Sequence, residues 1–208
     1  MTRWYTEKKR EHYYKEAKRE GYRARSAFKL LQIQKRFTIF SEGDIVVDLG
    51  AAPGGWTQVA LKLVGSEGQV IGVDLALIQP LAGAVFLQGD MTDPVTQQNL
   101  LQQLQGKHAD VVLSDMSPDI SGNYSIDHAR SIYLAEQAYK TSSEVLKQGG
   151  NFLCKLFEGG ETNTFFSMLK RQFQIVKRFS PQASRKSSSE IYLIAKSYKK
   201  STEQYKKE

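Results

Sequence analysis

Cysteine is almost missing from this chain. Cys154 is the only one among 208 residues, so no intrachain disulfide is available, and a reducing compartment suits the protein. Histidine is scarce as well. His12, His108 and His128 show no metal-ligand spacing, with one another or with the single cysteine, so no metal is expected. No apolar run approaches the length that spans a bilayer, and the first ten residues hold no apolar signal region. A disulfide scaffold, a zinc module and a membrane span are thereby excluded, and a cytoplasmic location is expected. Internal repeats and long low-complexity tracts are also absent.

What is present is ordinary in amount and uneven in placement. Apolar residues make up 40% and charged residues 25%, enough for one domain with a full core. The net charge of +7 divides sharply along the chain. Residues 1–36 carry a net +8, residues 37–154 a net −8, and residues 155–208 a net +7. A basic head and tail around an acidic centre point to a polyanion, most simply nucleic acid. Trp4, Tyr5, Tyr13, Tyr14 and Tyr22 lie among the basic residues of the head. They can stack on unpaired bases while the cations meet phosphates, or they can pin the head to the domain.

The run Ile45–Leu49 is apolar, short and rich in β-branched residues, and it ends in Gly50-Ala-Ala-Pro-Gly-Gly55. Helical spacing follows over Thr57–Val64. Strand, glycine turn and helix form the first half of a nucleotide-binding βαβ unit. Upstream, helices are expected over about residues 5–20 and 26–36. Further strands are expected at 69–73, 84–87, 110–115, 151–157, 173–179 and 191–196. Helices are expected at about 94–105, capped by Asp93, and at 162–171. A long helix capped by Asp127 should reach about Leu146 and end at Gly149-Gly150. The segment 116–125 is a candidate lid. This order gives an α/β fold with a mostly parallel sheet, helices on both faces, and a C-terminal hairpin forming one antiparallel edge.

Ligands of such sheets sit at the carboxyl ends of the strands, where the glycine turn, Asp74, Asp90 and Asp115 all fall. Read as Gly50-x-Ala52-x-x-Gly55, the turn is close to a dinucleotide fingerprint. Pro53 donates no N–H, however, and a ring of carboxylates repels a diphosphate. Carboxylates instead suit a sulfonium, ribose hydroxyls and an exocyclic amine, so S-adenosylmethionine fits better than NAD. Asp74 is placed to accept from the ribose and Asp90 from the adenine amino group. Lys155, inside the apolar run Asn151–Phe157, must either snorkel at the strand end or be buried with partners, with Asp115 the expected neighbour. A lysine balanced between desolvation and a carboxylate can act as a general base.

Five ordered motifs carry a resemblance: Arg25-Ser-Ala-Phe-Lys-Leu30, Asp48-Leu-Gly-Ala-Ala-Pro-Gly-Gly-Trp56, Ser114-Asp-Met-Ser-Pro118 with Ser121-Gly122, Lys155-Leu-Phe-Glu-Gly159, and Ser187-Ser-Ser-Glu-Ile-Tyr192. Over about residues 10–196 the chain resembles the FtsJ/RrmJ family of RNA ribose 2′-O-methyltransferases. The resemblance implies a Rossmann-like class I methyltransferase, and a Lys-Asp-Lys-Glu tetrad around the target hydroxyl at Lys29, Asp115, Lys155 and Glu190. It also implies S-adenosylmethionine near Gly54 and Trp56, with Asp74, Asp90 and Asp115 contributing to its site. Spacing alone would not select Lys29 or Glu190. Ser117 stands where the family usually has Ala, on the substrate-side loop.

The expected organisation is then a basic helical extension over 1–36 that contributes Lys29, a methyltransferase domain over 37–198, and a basic tail over 199–208. A monomer acting on a uridine of large-subunit (23S) ribosomal RNA is expected. The alternatives are a tRNA ribose methyltransferase, a non-catalytic RNA-binding protein and an NAD-dependent oxidoreductase.

Overall fold

A computed structural model describes residues 12–184 and 189–199. Trp4, Tyr5, the Ser187-Ser188 pair of the last motif and the tail from 200 lie outside the described residues. The first helix, expected from residue 5, is described over residues 12–19 (α1). The chain continues through α2 (Ala27–Phe37), β1 (Ile45–Leu49), α3 (Gly55–Val64), β2 (Gln69–Asp74), β3 (Ala84–Gln88) and α4 (Pro94–Leu104). There follow β4 (Ala109–Ser114), α5 (Tyr124–Val145), β5 (Leu146–Phe157), α6 (Thr162–Gln172), β6 (Phe173–Phe179) and β7 (Glu190–Tyr198).

Seven strands form one sheet in the order β3-β2-β1-β4-β5-β7-β6. All neighbours up to β5 pair in parallel, and only β7 runs against its neighbours. The antiparallel strand is therefore not at the edge, as a simple hairpin would put it. It is inserted between β5 and β6. The composition of the two last strands explains this. Ile191–Ala195 is unbroken apolar sequence and is buried, as a strand covered on both faces must be. In β6, Lys177 and Arg178 are exposed, and charges of this kind protect an edge from further pairing.

Strand residues alternate between two cores because successive side chains point to opposite faces. Val46, Val70, Val111, Leu113, Leu153, Tyr192 and Ile194 pack with α1, α2 and α3. Val47, Leu49, Ile71, Val112, Phe152, Cys154 and Leu156 pack with α4, α5 and α6. Cys154 is a buried packing residue, and burial pushes its thiol far above the ordinary range.

Two helix boundaries differ from expectation. Asp127 does not cap α5. Asn123 does, its side chain accepting from the N–H groups of Ser125 and Ile126. The Asp127 carboxylate turns back instead to accept from the N–H and hydroxyl of Ser121 and from the N–H of Gly122, tying down the segment expected to act as a lid. Nor does α5 run to Gly149-Gly150. It stops at Val145, and the fully buried Leu146 already belongs to β5, with Gly149 at φ 80° inside the extended stretch.

The described part of the basic head packs into the core. Ala17, Tyr22, Ala27, Phe28, Leu30 and Ile33 are buried with α3 and the sheet, and Tyr13 and Tyr22 both pack edge-on or tilted against Phe28. Tyr13 and Tyr22 thus pin the segment to the domain, while Tyr14 is exposed. Leu30→Ala should lower the unfolding free energy by about 3 kcal/mol in a urea melt. An unchanged midpoint would make residues 17–33 an appendage rather than core.

Candidate active site

Two carboxylates and the glycine turn build one end of the crevice. The turn is closed by its own backbone: the N–H groups of Gly50 and Ala51 both donate to the carbonyl of Val73, and that of Gly54 to the carbonyl of Ala51. Ala52 donates its N–H to Asp74 Oδ2 at 2.9 Å, and Pro53 has none to give. Gly50, at φ 74°, lies so close to Met116 that a Cβ would come within 2.2 Å of its Cγ. The N-terminus of α3, where a diphosphate would rest, is covered. Gly54 abuts Arg23, Gly55 abuts Ala24, and the Trp56 indole donates to the carbonyl of Ser26 at 2.9 Å. Arg23 and Ala24 crowd the place a diphosphate would take.

Gly54 and Trp56 are thus not among the residues that wall the cleft. Trp56 is buried against Tyr192, with ring centroids 5.8 Å apart. The cleft, about 420 Å³, lies on the other side of the turn, between Gly50 and Ala52, Asp74 and Leu75, Asp90–Thr92, Asp115–Ser117, and Tyr133, Leu134 and Gln137 of α5. Its size suits a nucleoside-sized ligand. Asp74 Oδ1 accepts the N–H of Ala76 at 2.8 Å, so its carboxylate orients both the turn and the β2–β3 loop. Asp90 Oδ1 accepts the N–H and hydroxyl of Thr92, and these bonds hold its carboxyl below the ordinary range and ionised. Val73, Leu75, Met91 and Met116 supply apolar wall. The α5 contribution was not foreseen, although Tyr133 and Gln137 stand four residues apart on one helix face.

The second half of the site is ionic. Lys155 shares its face of β5 with Leu153, the face toward α2, and is 7% exposed. Its Nζ donates to the main-chain carbonyl of Asp115 and lies 3.2 Å from Asp115 Oδ1. Of the two environments left open for this lysine, burial with partners is the one adopted. Lys29, also 7% exposed, donates to Glu190 Oε1 at 2.6 Å, and Ser184 donates to the same oxygen at 2.8 Å. Burial alone would push the Glu190 carboxyl up. The Lys29 ammonium, its hydrogen bond, that of Ser184 and the charge of Lys155 outweigh it and hold the group below its ordinary value.

Antiparallel register explains the convergence. Lys155 pairs with Tyr192 and Phe157 with Glu190, so the end of β5 and the start of β7 present their charges together. Tyr192 joins the two ion pairs. Its hydroxyl donates to Asp115 Oδ1 at 2.7 Å, and its ring lies 5.7 Å from Lys29 Nζ. Burial raises its own pKa well above 10, so the hydroxyl stays a donor. Tyr192 sits inside a quoted motif without an assigned role; only the β5–β7 pairing reveals its place.

Asp115 therefore belongs to both halves: it lines the cleft and holds Lys155. Such an arrangement keeps a bound nucleoside on one side of a carboxylate and an amine on the other. The sequence profile of the FtsJ-like methyltransferases matches residues 22–198. This chain belongs to that family. Among its relatives is the ribosomal RNA large subunit methyltransferase E of Methanothrix thermoacetophila, 51% identical over 187 residues that cover 90% of this chain and 72% of the relative. The protein of the same name from Archaeoglobus fulgidus is 48% identical over 192 residues, 92% of this chain and 98% of the relative. A crystal structure of a Plasmodium falciparum protein assigned as a ribosomal RNA methyltransferase superposes with a TM-score of 0.79 at 30% identity, covering 85% of this chain and 98% of that one. The methyl donor of this FtsJ-like methyltransferase is S-adenosylmethionine, whose nucleoside the closed turn, the two strand-end carboxylates and the apolar walls fit.

Beneath the turn lies one anomalous group. Asp48 is fully buried; Oδ2 accepts from the Thr57 hydroxyl at 2.8 Å, while Oδ1 has no hydrogen-bond partner among the described residues. Burial, opposed by the Thr57 bond and reinforced by the charges of Asp115 and Asp74, pushes its pKa from 3.8 to about 7. Between these values the folded chain holds a proton that the unfolded chain has released. Stability therefore falls as pH rises from about 4 to about 7 and levels off above. Asp48→Asn, neutral throughout, should flatten that fall in denaturant melts across this range. An unaltered slope would remove Asp48 as its source.

Proposed function

We propose that this chain methylates the 2′-hydroxyl of a ribose in large-subunit ribosomal RNA, the target being a uridine of 23S rRNA. The observation that carries the reading is the carboxylate of Asp115, which walls the cleft and lies 3.2 Å from the Lys155 amine. The RNA class is supported by the names of the relatives and by the basic residues around the fold. The alternative of a non-catalytic RNA-binding protein has no use for two buried lysines each held by a carboxylate, since phosphate binding needs exposed cations. All four tetrad residues come from one chain, which supports action as a monomer. A cytoplasmic location goes with the same reading.

The mechanism follows from what each side chain can hold. S-adenosylmethionine supplies a methyl carbon already activated by a sulfonium. Asp74 and Asp90 would hold its nucleoside, with Asp115 closing the cleft toward the lysines. Lys155 Nζ, once it has released its own proton, would accept the 2′-hydroxyl proton, freeing the oxygen for the methyl group that the sulfonium supplies. Lys29 sets positive charge beside the developing alkoxide, while Glu190 and Asp115 orient the two amines and Tyr192 draws electron density from Asp115. Holding oxygen and carbon in line supplies much of the rate.

Lys155→Ala should lower methyl transfer into purified large-subunit RNA at least about a hundredfold while calorimetric S-adenosylmethionine affinity is kept. Asp74→Ala should do the reverse, weakening the donor about tenfold or more through a lost pair of hydrogen bonds. Turnover of Lys155→Ala near the unsubstituted rate would remove the lysine from its role. Transfer into bulk tRNA in preference to large-subunit RNA would replace the proposed substrate.

A further inference from the structure

One buried histidine lies outside the tetrad and the donor cleft, and its contacts lead back to both ion pairs. His128, on the first turns of α5, is 4% exposed. Its Nδ1 lies 2.8 Å from the carbonyl oxygen of Phe157, and a carbonyl can only accept, so Nδ1 carries a proton. Its Nε2 faces the start of α6, 2.5 Å from Glu161 Oε2 and 3.3 Å from the Glu161 N–H. Neutral, the ring can accept that N–H; protonated, it can donate to the carboxylate. Either way the bond to Phe157 is kept.

The other side of the same peptide is held by the next turn of α5. The Phe157 N–H donates to Ser131 Oγ at 3.0 Å, and that hydroxyl donates to the His128 carbonyl at 2.8 Å. Both polar groups of Phe157 are thus fixed by one helix. Phe157 is two residues beyond Lys155 and is the cross-strand partner of Glu190, and Glu158 N–H continues the register to the Ser189 carbonyl at 2.8 Å. Little slack is left around the ring. A Cβ on Gly159 would come within 2.5 Å of His128 Cγ, and Tyr124 stacks on the ring with centroids 6.4 Å apart.

We infer that His128 is a positioning residue for methyl transfer: through the Phe157 carbonyl it sets where β5 ends, and with it the placement of Lys155 and Glu190 relative to each other. The inference rests on the proposed methyl transfer. It assigns His128 no contact with RNA or donor. Lys155 is held at its tip by Asp115, but its main chain lies at the end of a strand beyond the parallel pairing with β4, which stops at Cys154. There the α5 bonds replace the missing neighbour. Small displacements at such a point affect rate more than binding.

Single-turnover methyl transfer and KM for RNA and donor should be measured for His128→Asn, His128→Leu and Glu161→Ala. Asparagine offers an N–H in the place of Nδ1; leucine fills the space without a donor. The leucine variant is expected to lose turnover tenfold or more, with each KM changed less than threefold. The asparagine and Glu161→Ala variants should stay within threefold of the unsubstituted rate. Equal turnover for leucine and asparagine overturns the inference, and so does a loss in Glu161→Ala that matches leucine. If leucine prevents folding, Ser131→Ala tests the same peptide from its N–H side and should give the same fall in turnover at constant KM; unaltered turnover there overturns it too. A native chain without methyl transfer would instead defeat the proposed function, so the two failures are distinguishable.

Discussion

The contact between Lys155 and Asp115 is the constraint on which the rest of the site depends. A buried lysine meets a partly buried carboxylate at adjacent strand ends, and the lysine cannot be left alone there: an unpaired buried charge is destabilising by several kcal/mol. The pair joins the residue after β4 to the residue of β5 that follows the last β4–β5 pair, Ser114 with Cys154. It also makes Asp115 the boundary between the donor cleft and the two lysines. Tyr192 and the Lys29–Glu190 pair then extend the same logic across β7, each buried charge facing a group that satisfies it. A core that places charge at this point cannot easily serve another purpose.

The antiparallel insertion of β7 is what makes this possible. A parallel strand beside β5 would bring its own carboxyl end to the site and send its beginning to the far edge of the sheet. Running against β5, β7 delivers its first residues there instead, so Tyr192 stands opposite Lys155 and Glu190 opposite Phe157. The N-terminal segment completes the layer from above. Trp56 and the glycine turn hold residues 23–26 in place, and α2 follows with Lys29 on its buried side. Donor turn and substrate-side lysine are therefore linked through packing.

Much of this was legible from residue patterns, and the misses have physical causes. The β-branched run 45–49, the glycine turn and the carboxylates after β2, β3 and β4 identify the cleft because strand-end positions are local information. Lys155 stood out because a charge interrupts an apolar run. Lys29 and Glu190 carried no such mark, each being an ordinary charge until tertiary pairing buries it, and only family resemblance named them. Resemblance named Trp56 near the donor; a helix carries the next side chain about 100° around its axis, and here the indole N–H points to the Ser26 carbonyl. Asp127 looked like a helix cap from its local sequence; its carboxylate serves the preceding loop because Asn123 already satisfies the first turn. The insertion of β7 was written in its unbroken apolar run, which belongs to an interior strand, against the charges of β6.

The most direct test is single-turnover methyl transfer by Asp115→Asn at saturating S-adenosylmethionine on large-subunit ribosomal RNA. Asparagine keeps the shape of Asp115 and removes the charge that faces both Lys155 and the cleft. If Asp115 joins the two halves of the site, donor affinity falls and the rate at saturation still drops at least about a hundredfold. A saturated rate close to that of the unsubstituted chain would contradict the account.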